Sequence, residues 1–173
     1  MDYICCYFDV QGFYANNLFY PRECAVLSDH GASVFSVDHE LKMDQLSASD
    51  QRQAQYLTRR HHGLPFEVEK GTKIESINDI IIAFYECNLD DDHFLCACKS
   101  KEAEAMLRTL GIPRLNLGKL GATWSNINTR LEPYSLHIKP GKCSLNAVIA
   151  MNKWVKNGPE DDEPGRDVCG NMP

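Results

Sequence analysis

The order of the predicted secondary-structure elements indicates an α/β fold, a mixed sheet flanked by helices. Three strand-like segments joined by short turns come first, and helical periodicities that alternate with short strand-like runs follow them. The 173 residues suit one compact domain with a sizeable core. We therefore predict a single domain over residues 1–156, followed over residues 157–173 by an acidic tail whose composition predicts disorder.

Three consecutive strands are predicted at the start of the chain. Residues 3–10, "YICCYFDV", are apolar and aromatic, which is typical of a buried strand. Residues 23–29 and 32–38 have the same character, and turn-forming residues at 15–17 and 30–31 separate the three segments. Short turns join antiparallel neighbours, so the sequence predicts an antiparallel meander.

Helices and short strands are predicted to alternate over the rest of the chain. Apolar residues at helical spacing, serine caps and glycine or proline stops indicate these elements. The predicted helices span residues 47–60, 73–88, 101–110 and 144–156, and the predicted strands are 93–98 and a short one within 111–118. His61 and His62 follow the first helix. Positive charge on a side chain is favourable near the C-terminus of a helix.

Basic and acidic side chains concentrate in different parts of the chain. Residues 1–95 carry 7 basic and 16 acidic side chains, residues 96–156 carry 10 and 3, and the tail carries 1 and 5. A basic region of this kind suits a nucleic-acid-binding face, although an ordinary solvated surface has the same composition. The candidate phosphate-binding residues are Lys99, Lys101, Arg108 and Lys119.

Cysteine usage and hydropathy predict a cytoplasmic or nuclear protein without a membrane partner. No apolar run approaches the length of a membrane span, and the N-terminus has no features of a signal peptide. Without a secretory signal, the eight cysteines do not predict a disulfide framework. Most of them lie in apolar runs, where cysteine acts as a small hydrophobe. The sequence gives no indication of oligomeric state.

The first strand carries a motif with chemical meaning. In "FDVQGF", Asp9 is followed two residues later by Gln11. The segment resembles the first strand of the ribonuclease H-like proofreading exonucleases, which supplies Asp-x-Glu to a two-metal site. The resemblance implies a ribonuclease H-like (exonuclease-like) fold. Gln11 replaces the glutamate, Lys99 and Lys101 lie in the later metal-binding segment, and no aspartate follows Cys143 at the required spacing. This implies a catalytically degenerate site.

Four further segments resemble the Maelstrom domain, a ribonuclease H-like module of germline transposon silencing. They are "YPRECAVLS" (20–28), "RRHHGLPF" (59–66), residues 137–143 and "CSLNAVIAMNKW" (143–154). The same blocks resemble small insect proteins linked to mobile elements or viruses.

The Maelstrom resemblance also implies a structural zinc site. Its ligands would be Glu23, His137 and Cys143, while Tyr134 stands where the family has a further cysteine. The alternative roles are structural: Glu23 pairs with a lysine or caps an orphan N–H, His137 forms a core hydrogen bond, and Cys143 packs as a hydrophobe.

Three functions follow from these observations. The first is a degenerate exonuclease-like domain that binds single-stranded RNA or a silencing-pathway protein. The second is an active ribonuclease. It would use Mg²⁺ or Mn²⁺ at Asp9 with Glu23, Asp79 or Asp91, or act without metal through His61 or His62. The third is a protein-interaction module without nucleic-acid contact, which the acidic first half and tail favour.

Overall fold

A computed structural model describes residues 1–123, 127 and 143–157. The described residues form a six-stranded mixed sheet and four α-helices, which confirms the predicted α/β class. The strands are β1 (Ile4–Ala15), β2 (Leu18–Ser28), β3 (Gly31–Asp38), β4 (Thr72–Lys73), β5 (Leu95–Cys98) and β6 (Arg114–Asn116). The helices are α1 (Ala48–Tyr56), α2 (Ile74–Asn88), α3 (Lys101–Thr109) and α4 (Ser144–Asn157).

The sheet has the strand order β4-β3-β2-β1-β5-β6. β1, β2 and β3 are antiparallel neighbours, as the meander prediction required. β5 runs parallel to β1, and β6 runs parallel to β5. Helix α3 connects this last pair, as a parallel connection needs a crossover. The carboxyl ends of β1, β5 and β6 therefore lie at the same edge of the sheet.

The central hairpin of β1 and β2 is longer than predicted. Asn16 and Asn17 form its two-residue turn, both with positive φ (50° and 62°), a conformation that asparagine tolerates well. The pairing register shifts between Gln11 and Gly12, which leaves Arg22 as an extra residue on β2. Any Cβ at Gly12 would lie 2.2 Å from the carbonyl oxygen of Tyr20. Glycine is thus required at this position of the hairpin.

Alternate residues of β1 and β2 bury one core on each face of the sheet, and a third cluster includes Phe13 of β1 and Ala54 of α1. On one face, Phe8, Val10 and Val26 pack with Ile77 of α2 and Leu107 of α3. The opposite face packs against α4, and its core includes Tyr7, Ala25, Leu27, Val148 and Met151. The side-chain period of two in β1 and β2 thus produces a sheet covered by helices on both sides.

The predicted helices form with altered ends. Ser47 caps α1 by accepting the Asp50 N–H at 3.1 Å, but the α-helix ends at Tyr56, and Leu57–His61 continue as a π-helical turn. Ser100 caps α3 by accepting the Ala103 N–H at 3.1 Å. The predicted tail beyond Asn157 lies outside the described residues. No helix within 1–123 and 143–157 has the length and apolar composition needed to cross a membrane.

Candidate functional site around Asp9

A cleft of about 290 Å³ lies between β1, the π-helical turn that follows α1, and the first turn of α3. The register pairs Tyr7 of β1 with Ala97 of β5, so Asp9 lies just beyond the carboxyl end of β5. Ligands of open α/β sheets bind at this edge. Polar residues that line the cleft include Asp9, Gln11, Tyr14, His61, Ser100 and Glu102.

Asp9 is fully buried within this cleft wall. Its Oδ2 accepts a hydrogen bond from the Gln11 side-chain amide at 3.2 Å. Its Oδ1 has no hydrogen-bond partner among the described residues. Burial raises the pKa of Asp9 to about 7, and the neighbouring Glu23 charge adds to the rise, while Gln11, the Val10 backbone and the Ser144 hydroxyl oppose it. Asp9 is therefore a carboxyl group that changes charge near neutral pH.

Glu23 is equally buried but has a strong partner. It lies opposite Gln11 in the sheet, on the face that packs against α4. Its Oε1 accepts the backbone N–H of Ser144 at 2.9 Å, and the Ser144 hydroxyl lies 3.5 Å from the Glu23 carbonyl oxygen. Glu23 thus stabilises the first turn of α4, where negative charge is favoured. This confirms the predicted capping role, one of the alternatives that the sequence left open.

The predicted zinc ligands come together only in part. Cys143 is buried immediately before α4, next to the Ser144 N–H that Glu23 accepts. His137 and Tyr134 lie outside the described residues. Within residues 1–123, 127 and 143–157, no group of three side chains is arranged to hold a metal ion. The described donors do not by themselves make up a zinc set, and zinc stays a prediction that the metal content of the purified protein will test.

Two of the four predicted phosphate-binding residues lie beside the cleft. Lys99 is half-buried directly after β5; burial lowers its pKa, and the Asp9 carboxylate opposes that effect. Lys101 is exposed, with its Nζ 5.6 Å from the centre of the Tyr14 ring and 3.8 Å from Oε1 of Glu102. Each lysine therefore lies close to residues of the cleft, Lys99 to Asp9 and Lys101 to Tyr14 and Glu102.

The other two predicted phosphate-binding residues lie on α3 and in the short 3-10 helix Leu117–Leu120 that follows β6. Arg108 is exposed in the last turn of that helix. Lys119 forms an ion pair with Glu104, with Nζ and Oε1 2.6 Å apart, and Asn116 donates to the other oxygen of Glu104 at 2.7 Å. Part of the basic charge in this region is thus balanced within the protein.

The two histidines have different surroundings. Nδ1 of His62 accepts the Leu64 N–H at 3.1 Å, so that Nε2 carries the proton and lies 3.2 Å from its acceptor, the Gly12 carbonyl oxygen. The ring is buried and packs edge-on against Phe13. His62 therefore holds the loop after α1 onto β1. His61 is exposed and lines the cleft, which makes it the histidine that a ligand can reach.

One contact of the site joins residues far apart in the sequence. The Tyr14 hydroxyl donates to Oε1 of Glu102 at 2.5 Å, across 88 positions. Burial and the Glu102 carboxylate raise the pKa of Tyr14 to about 12. No local pattern marks these two residues as partners, because the fold alone brings β1 and α3 together.

The remaining predicted carboxylates lie away from the cleft. Asp79 is on the exposed side of α2, and Asp91 is in the exposed turn before β5, at the amino end of that strand. Neither lines the space beside Asp9. Comparisons with protein-family models, curated proteins and solved structures return no match for this chain, so its function is argued from these contacts.

Proposed function

We propose that the chain is a ribonuclease H-like, catalytically degenerate exonuclease-like domain that binds single-stranded RNA at the Asp9 cleft. The sheet arrangement supports the fold assignment. Three antiparallel strands, β3-β2-β1, are followed by the parallel strands β5 and β6, with helices on both faces. This is the order that the resemblance to the exonuclease family implies. Asp9 then takes the position of the first metal-binding carboxylate.

The proposal that the site is catalytically degenerate rests on the residues around Asp9. Two-metal cleavage requires several carboxylates that share the cations. Beside Asp9 there is instead the amide of Gln11 and the ammonium group of Lys99, whose charge interacts with Asp9. Glu23, the carboxylate whose charge raises the pKa of Asp9, accepts the first N–H of α4, and Glu102 in the cleft accepts the Tyr14 hydroxyl. Hydrogen-bond donors of the protein thus occupy the surroundings in which an active nuclease would hold metal.

The residues in and beside the cleft support RNA as the ligand. Lys99 and Lys101 are positioned to contact phosphates, and Tyr14 and His61 offer ring surfaces in the same cleft. Positive charge combined with aromatic surfaces is the usual means of binding single strands without sequence preference. The affinity would then depend strongly on salt, because phosphate contacts release counterions.

The test is fluorescence anisotropy with a labelled single-stranded RNA, titrated at several salt concentrations. Lys101→Glu should weaken binding about tenfold and reduce the salt slope by about 1. Lys73→Glu is the matched control, since Lys73 is similarly exposed, at 70%, on the far edge strand β4. Equal effects of both variants, or no binding of wild type at low salt, would refute the RNA-binding face and favour a protein-interaction module.

A second candidate is a ribonuclease that works without metal. Asp9, with a pKa of about 7, and the exposed His61 line the same cleft. A carboxyl group that titrates near neutral pH suits general acid–base catalysis. RNA cleavage that persists with a chelator and is lost in both Asp9→Asn and His61→Ala would establish this function. Cleavage that needs Mg²⁺ or Mn²⁺ would indicate the metal-dependent alternative.

A further inference from the structure

The outer edge of strand β3 is open over most of its length. Strand β4 pairs only with Val37 and Asp38, at the end of β3. Among residues 1–123, 127 and 143–157, no other strand pairs with that edge. Residues 31–36 therefore present about 20 Å of extended backbone. Such an edge is a template for pairing with another chain.

The turn between β2 and β3 determines which backbone groups of β3 point outward. Residues 29–30 form a two-residue turn that the Ser28–Gly31 pair closes. The closing pair of such a hairpin exchanges ladder hydrogen bonds, and bonded and non-bonded pairs then alternate along the strands. The N–H and C=O groups of Ala32 and Val34 therefore point away from β2, toward the open edge.

The open edge has none of the features that usually prevent pairing with another strand. Exposed edges are commonly blocked by lysine, proline or a β-bulge. Residues 31–37, "GASVFSV", contain neither a charged residue nor a proline, and their pairing with β2 has no register shift. Gly31, Ala32 and Ser33 are exposed. An edge of this kind is suited to binding an added strand.

A groove of about 270 Å³ lies beside the open edge, between the start of β3 and the last turn of α2. Its helix side is formed by Phe84, Cys87 and Asn88. Side chains of an added strand alternate between the two faces of the sheet, so one set of them would enter this groove. The groove combines an apolar wall with a polar rim at the C-terminal end of a helix, where positive charge is favoured. It therefore suits the aliphatic stem and charged head of lysine or arginine.

The two segments that border the groove are acidic. Residues 28–40 and 74–88 carry six carboxylates and neither lysine nor arginine. The six are Asp29, Asp38, Glu40, Glu75, Asp79 and Glu86. Two of them form ion pairs, Asp29 with Lys156 at 2.9 Å and Glu40 with Lys73 at 2.8 Å. The remaining excess of negative charge favours a basic strand over a second copy of β3, which has no lysine or arginine.

We propose that the open edge of β3 binds an extended, basic segment of a partner protein as a seventh strand of the sheet. The backbone of that segment bonds to Ala32 and Val34, and its lysine or arginine side chains face the groove and α2. Its alternate, apolar side chains lie on the other face of the sheet, beside Val34, which packs with the core against α4. The groove shares no lining residue with the Asp9 cleft, so this inference does not rest on RNA binding.

The test uses a short fluorescein-labelled peptide in which lysine alternates with valine, titrated with the full chain and followed by fluorescence anisotropy. Binding should be saturable. The same peptide with glutamate in place of lysine should bind at least about tenfold more weakly, because the surface around the edge is acidic. Two further versions carry backbone N-methyl groups on the valines or on the lysines. One of these two should bind and the other should not, because only one set of N–H groups faces β3 in an added strand.

A substitution in β3 tests the same contact from the side of the protein. Ala32→Pro removes one outward N–H, and proline is tolerated on an edge strand where its nitrogen faces solvent, so the variant should fold, as circular dichroism will show. It should weaken binding of the lysine peptide about tenfold. Ala32→Val is the matched control, since it keeps the N–H and should bind like wild type.

Hydrogen exchange of wild type locates the peptide without any substitution. The lysine peptide should slow exchange at the amides of Ala32 and Val34. No saturable binding, equal binding of the two N-methylated peptides, or protection confined to other residues would each overturn the proposal. A wild-type dimer that protects these two amides without peptide would also overturn it, because a second copy would then occupy the edge.

Discussion

The two buried carboxylates of the central hairpin have contrasting surroundings. Asp9 on β1 and Glu23 on β2 are both 0% exposed, and they lie on the same face of the sheet, against α4. Glu23 accepts the N–H of Ser144 at 2.9 Å. Asp9 accepts the Gln11 amide at 3.2 Å, and its Oδ1 has no partner in the described part of the chain. The two side chains are equally buried, and they differ in their hydrogen-bond partners.

This difference indicates that Glu23 stabilises the fold, whereas Asp9 is a candidate functional group. The first N–H groups of a helix need acceptors, and Glu23 supplies one together with a favourable charge. Asp9 is costly to ionise, yet it lines the cleft. A buried group that costs stability and borders a cleft is a candidate for function. Substitutions at the two positions should therefore have opposite effects.

Glu23→Ala should give the largest effect. It leaves the buried Ser144 N–H without its acceptor and opens a cavity beneath α4, so the free energy of unfolding should fall by about 3 kcal/mol. Urea denaturation followed by circular dichroism measures the change. Glu23→Gln keeps an acceptor oxygen and loses only the charge, so it should cost about 1 kcal/mol. Equal losses in the two variants would contradict the capping role.

Asp9→Asn should stabilise the protein at alkaline pH. The amide keeps an acceptor oxygen for Gln11 and removes a charge that is unfavourable in this position. Because the pKa of Asp9 is about 7, the gain in the free energy of unfolding at pH 8 should be on the order of 2 kcal/mol. Destabilisation at pH 8 would mean that the Asp9 carboxylate has a strong partner after all.

The stability of wild type should also change with pH, because Asp9 has a different pKa in the folded and unfolded states. The unfolded Asp9 releases its proton near pH 3.8, whereas the folded one retains it up to about 7. Between these values the folded state binds the extra proton, so the contribution of Asp9 to stability falls as pH rises and levels off above about 7. The charges facing Asp9 are Glu23 and Lys99. The free energy of unfolding is measured against pH for wild type and for Asp9→Asn. The difference between the two curves gives the part of the pH dependence that comes from Asp9.

Much of the fold is predictable from local patterns in the sequence. Apolar and aromatic runs in β1 and β2 indicate strands, and Ser47 and Ser100 indicate helix starts, because these signals act over a few positions. The lengths of β1 and β2 are less predictable. Gly12 and Pro21 resemble strand breakers, but the register shift at this point accommodates both, and pairing continues to the turn.

The candidate site is less predictable, because its contacts are distant in the sequence. Asp9 and Gln11 stand out as a motif, and a capping role for Glu23 is one of its expected alternatives. The pairing of Tyr14 with Glu102 and that of Glu23 with Ser144 cross 88 and 121 positions, and no local signal specifies them. Similarly, the sequence shows that Cys5 and Cys6 are adjacent. It does not show the irregular pairing of β1 with β5, which leaves their sulfur atoms 3.7 Å apart.

Ser144→Ala should produce the smallest loss of stability. It also tests most directly how the surroundings of Asp9 and Glu23 differ. The Ser144 hydroxyl lowers the pKa of Asp9 and lies 3.5 Å from the main-chain carbonyl oxygen of Glu23. The backbone N–H of Ser144, which the Glu23 carboxylate accepts, is retained in alanine. Stability should thus fall by less than about 1 kcal/mol, and the pKa of Asp9, followed by NMR titration of its carboxyl carbon, should rise. A stability loss as large as that of Glu23→Ala would show that the hydroxyl, and not the backbone N–H, joins β2 to α4. An unchanged pKa would show that Asp9 receives no help from α4, so that its charge is balanced from the side of the cleft alone.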